Sequence, residues 1–81
     1  MIKHEDKYKN LAINISYYRK LKGFTQIQLA EKIGISRTHL SNIEAPNVPM
    51  TFSSTVLFDI ADALEVSLQD LFDFKMNTKQ K

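Results

Sequence analysis

The sequence predicts an all-α domain of five helices, and three observations carry that reading. Apolar residues recur at spacings of three and four through most of the 81 residues. Thr25 with Gln28, and Ser67 with Asp70, are capping pairs of the kind that open helices. Two glycines and two prolines punctuate the chain where the apolar stripes stop. With 43% hydrophobic and 25% charged residues the composition is that of one small folded domain, too short for a multi-domain enzyme. No cysteine is present, so neither a disulfide nor a thiolate metal site can staple it.

The first helix follows from Tyr8, Leu11, Ile15, Tyr18 and Leu21, which mark one stripe running to about Lys22. Gly23 ends it as a left-handed residue. The Thr25–Gln28 capping box opens a short second helix at Gln26, with Leu29, Ala30 and Ile33 inward, and Gly34 stops it. Ser36 caps a third helix from Arg37 to about Ala45, whose buried pair is Leu40 and Ile43. Pro46 and Pro49 make residues 45–53 a loop. Ser53 or Ser54 caps a fourth helix over about 55–65, carrying Leu57, Ile60, Ala61 and Leu64. Ser67 opens a fifth with Leu68, Leu71 and Phe72. The organisation expected is an extension over 1–7, a domain over 8–74 and a basic tail over 75–81.

Net charge is only +2, yet it is segregated. Residues 1–45 hold eight Lys/Arg against four Asp/Glu, 46–74 hold none against five, and 75–81 hold three against none. A basic face turned to a polyanion, with an acidic remainder held away from it, produces such a split.

Two short helices joined by Gly34-Ile35-Ser36, with the small Ala30 where they cross, form a helix-turn-helix. The second of the pair enters the major groove of DNA in that motif, so its outward residues should be polar. Arg37, Thr38, Ser41 and Asn42 meet this requirement.

The stretch TQIQLAEKIGISRTHLSNIE, followed by LFDIADALEVSLQDLF, resembles the phage-repressor-like or Xre-type helix-turn-helix family over residues 11–72. The resemblance implies a five-helix, lambda-repressor-like domain that binds operator DNA as a two-fold dimer and regulates transcription. Carried over by position, the family's phosphate-binding glutamine falls on Gln26 and its base-reading positions on Arg37, Thr38 and Asn42. Arginine can pair with guanine, asparagine with adenine, and the threonine methyl can meet a thymine methyl. His39 and Ser41 are neighbouring phosphate candidates, and Lys22 and Lys32 are the nearby cations. Arg19 and Glu44 correspond to the family's bracing ion pair, with Ala30 and Gly34 shaping the motif. The chain departs from the family after Glu44, where Ala45-Pro46 and a loop about three residues longer replace a phosphate-touching turn. Val48, Phe52, Phe72 and Phe74 are the expected dimer contacts.

Other classes have little to stand on. His4, Glu5 and Asp6 are consecutive and do not share a helix face, so no metal site is expected there. No Gly-rich phosphate loop and no paired His and carboxylate point to catalysis, and no cofactor or small-molecule effector is implied. Neither an apolar leader nor a membrane-length run is present, so a cytoplasmic, nucleoid-associated protein is expected. The function expected is sequence-specific binding to an inverted-repeat operator by a homodimer, repression before activation. The alternative is an antitoxin-like module that neutralises a partner protein.

Overall fold

The computed structural model describes residues 3–47 and 51–73. Five helices run in order: α1 Glu5–Leu21, α2 Gln26–Ile33, α3 Arg37–Glu44, α4 Ser54–Leu64 and α5 Leu68–Leu71. Val48 and Phe74, named above as dimer contacts, lie outside the described residues, as does the basic tail.

Helix α1 begins three residues before Tyr8, inside the expected extension. No side chain caps it, but Glu5 and Asp6 in its first turn and Arg19 and Lys20 in its last complement the helix dipole at both ends. Its stripe is narrower than the spacing implies. Leu11 and Ile15 are buried, Tyr8 and Tyr18 are half-buried, and Leu21 is 61% exposed. Ten residues past Leu11 a helix has turned about 80° short of three full turns, which carries Leu21 off the core face.

The other helices start on the side chains expected. Thr25, Ser36, Ser53 and Ser67 each accept from the backbone N–H three residues on, and Thr25 and Ser67 complete capping boxes with Gln28 and Asp70. Three junctions share one design. Gly23-Phe24-Thr25, Gly34-Ile35-Ser36 and Glu65-Val66-Ser67 each place a left-handed residue, then an apolar residue, then the next N-cap. In each, the N–H of the apolar residue donates back across the helix end, Phe24 to the Arg19 carbonyl, Ile35 to Ala30 and Val66 to Ala61, at 3.0–3.1 Å. Phe24, Ile35 and Val66 then pack on the core, the apolar contact that accompanies this helix ending. At Gly23 and Gly34 φ is +82° and +78°, a region that side-chain-bearing residues seldom enter.

The core is built from Leu11 and Ile15 of α1, Leu29 and Ala30 of α2, Leu40 and Ile43 of α3, Leu57, Ile60, Ala61 and Leu64 of α4, and Leu71 of α5. Helix α2 packs against α3 and α4, while α1 spans α3, α4 and α5. Of the apolar residues expected on the fifth helix only Leu71 is buried; Leu68 and Phe72, the latter at the C-cap, stand on the surface. No helix among the described residues is long and apolar enough to cross a membrane.

A buried polar side chain ties the α5 end to α1. Asn14 is 3% exposed, and its amide nitrogen donates to the carbonyls of Leu71 at 2.8 Å and Asp73 at 3.0 Å. The Leu71 carbonyl is one of the last-turn acceptors that a four-residue helix leaves open. The Tyr18 phenol is held neutral above its ordinary value of 10.0, first by burial and then by the neighbouring Asp70 carboxylate. Asn14→Ala removes the donor of the Leu71 carbonyl and is expected to cost about 1–3 kcal/mol. Urea unfolding should show it as a lower midpoint.

Candidate nucleic-acid interface

The local geometry of α2 and α3 begins at their caps. Thr25 Oγ1 accepts from the Gln28 N–H at 3.0 Å while Gln28 Oε1 accepts from the Thr25 N–H at 2.9 Å. Ser36 Oγ accepts from the His39 N–H at 3.0 Å. Each cap leaves the first N–H groups of its helix, Gln26 and Ile27 in α2, Arg37 and Thr38 in α3, without an acceptor among the described residues. Such groups, at the positive end of a helix dipole, favour a phosphate oxygen.

The two helix starts share one surface. Arg19, Phe24, Thr25, Gln26, Ile27 and Arg37 line a single open depression. Arg37 and Thr38 are exposed, whereas His39, Ser41 and Asn42 are half-buried. The outward edge of α3 is therefore most open at its N-terminal turn, the end that a recognition helix presents to base edges. Leu40 and Ile43 are buried at 0% and 2% exposure and fix the rotation of α3 that produces this edge.

Arg19 and Glu44 meet beneath the motif. Arg19 Nε donates to Glu44 Oε2 at 2.7 Å, with side chains 9% and 4% exposed. Arg19 Nη1 also donates to the Phe24 carbonyl at 2.7 Å, fixing the turn between α1 and α2. Ala30, 2% exposed, gives α2 and α3 room to cross, and Gly34 turns the chain between them. One contact had no sequence signal: Gln26 Nε2 donates to Glu44 Oε1 at 3.1 Å across 18 positions. Nothing local in the sequence pairs the first residue of α2 with the last of α3.

The cations and dimer candidates divide. Lys22 is exposed at the C-cap of α1, three residues before the cap of α2. Lys32 stands elsewhere, in a depression shared with Asp59, Asp62, Ile33 and Ala63 between α2 and α4. No α3 residue lines that depression, and its carboxylates oppose a phosphate there. Phe52 is half-buried and stacks edge-on against Tyr8, ring centroids 5.6 Å apart, whereas Phe72 is 49% exposed.

Known proteins are similar to this chain in sequence. Residues 15–71 match the helix-turn-helix family. The HTH-type transcriptional regulator SinR of Bacillus subtilis is 38% identical over 65 residues, 80% of this chain and 58% of SinR. Antitoxin HipB of Escherichia coli O6:H1 is 41% identical over 58 residues, 72% of this chain and 60% of HipB. The control protein C.SmaI of Serratia marcescens is 34% identical over 61 residues, 75% of this chain and 70% of its own length. The chain thus spans about three fifths of the length of SinR and HipB. Since the match runs from the middle of α1 to the end of α5 and takes in both helices of the motif, this chain belongs to the helix-turn-helix family of the Xre, phage-repressor-like type.

Proposed function

We propose that the protein is a sequence-specific regulator of transcription that binds double-stranded operator DNA through α3. The observation that carries this is the shared surface of the two helix starts, where Arg37 projects beside Gln26 and the unpaired N–H groups of α2. In this reading Arg37, Thr38 and Asn42 meet base edges, while Gln26, His39, Ser41 and Lys22 hold phosphate. Segregated charge supports it, since residues 46–73 carry five carboxylates and no Lys or Arg.

A homodimer on an inverted repeat, its recognition helices about 34 Å apart, completes the proposal. The loop and α5 supply its contact, with the half-exposed Phe72 as the anchor. Repression follows if the operator overlaps a promoter. Similarity to HipB favours one second reading, an antitoxin that also neutralises a partner protein.

Selection of bound sequences from random duplex DNA tests the main reading. An inverted-repeat consensus together with a dimer by sedimentation is the expected result; no enrichment, or a monomer on single half-sites, would refute it. On the selected operator, Arg37→Ala should cost about 1–3 kcal/mol and relax preference at one position in each half-site. Affinity for random DNA should fall much less, which a competition titration measures.

A further inference from the structure

We infer that Glu44 is a positioning residue for DNA, which aims the free amide hydrogen of Gln26 at a backbone phosphate. The inference rests on the DNA-binding reading above and concerns how one of its contacts is built.

Both oxygens of Glu44 are engaged: Oε2 accepts from Arg19 and Oε1 from Gln26, on a side chain only 4% exposed. A carboxylate accepts and never donates, so the end of the Gln26 amide that faces it is the NH2 group. That single bond removes the two-fold ambiguity of a terminal amide. With one N–H tied to Glu44, the second N–H remains on a side chain that lines the open depression beside Arg37. The backbone N–H groups of Gln26 and Ile27 lie on the same helical turn. Three neutral donors are thus gathered where a phosphate oxygen would sit, one of them oriented only through Glu44.

Arg19 completes the relay. Its bonds to Glu44 and to the Phe24 carbonyl hold the carboxylate against the entry to α2. Replacing Glu44 by glutamine keeps the shape but allows an NH2 group to face Gln26. The Gln26 amide can then flip and turn its oxygen toward the phosphate, which repels it.

A double-mutant cycle on the selected operator, at 10 °C and below any unfolding transition, tests the relay. Gln26→Ala and Glu44→Gln should each weaken binding about fivefold to tenfold, and the double variant should be no weaker than either one. A methylphosphonate at one phosphate per half-site should weaken the wild type more than either variant, because the variants lack the aimed side-chain donor and keep only the backbone N–H contacts. Losses that multiply in the double variant, or a Glu44→Gln protein that binds like wild type, would overturn the inference. A second measurement needs no variant: in 15N-labelled wild type one Gln26 side-chain amide proton should shift on binding intact operator and not the methylphosphonate duplex. Equal shifts with both duplexes would also overturn it. Absence of salt-sensitive binding to any duplex would overturn the DNA-binding reading and this inference together, whereas the other adverse results remove the inference alone.

Discussion

Glu44→Ala is expected to lower folding stability by about 3–5 kcal/mol in the absence of DNA. The carboxylate is buried, and its removal strands the Arg19 guanidinium, which is itself 9% exposed at the side chain and cannot shed its charge. The Gln26 amide loses its acceptor at the same time. In a domain of this size such a loss corresponds to a fall in Tm on the order of 15 °C or more. Thermal unfolding by circular dichroism measures it, and an unchanged Tm would mean that the pair is solvated. Replacing both partners together, as Arg19→Met with Glu44→Leu, should be far milder, because no charge is then left buried alone.

Leu40→Ala is the second large effect, at about 2–5 kcal/mol. Leu40 is fully buried in the middle of α3, and alanine leaves a cavity that eight residues of helix cannot close without tilting. Stability and DNA affinity should therefore fall together, and raising protein stability with a stabilising cosolvent should restore folding before it restores affinity. Chemical denaturation and operator titration on the same preparation separate the two.

Much of the fold was legible because each helix announces itself locally. Thr25, Ser36 and Ser67 are caps by residue type, Gly23 and Gly34 are stops, and Leu57, Ile60, Ala61 and Leu64 hold a helical period in full. The start of α1 was not legible from the stripe, since its first turn is stabilised by charge rather than by burial. Asn14 was missed for a related reason. Hydrophobic periodicity treats a polar residue between Leu11 and Ile15 as a gap, and its acceptors lie 57 and 59 positions away. For the candidate interface, residue type sufficed to nominate Arg37 and Gln26. The Gln26–Glu44 bond and the carboxylates beside Lys32 depend on how α2 meets α3 and α4, which no short-range pattern encodes.

The three matching helix junctions do not all place glycine at the left-handed site, and this difference bears on how this chain can evolve. Glycine fills the left-handed site at two of them; at the third Glu65 holds φ +57°. An L-residue there costs roughly 1–2 kcal/mol, partly returned because glycine is the more flexible residue when unfolded. Glu65 is exposed, so Glu65→Gly forfeits no packing and is expected to raise the urea midpoint slightly. The domain therefore keeps a stabilising step in hand at the α4–α5 corner, away from the helix starts that would face DNA. Such a step would let a lineage accept a destabilising change in α3, and with it a new operator, without losing the folded state.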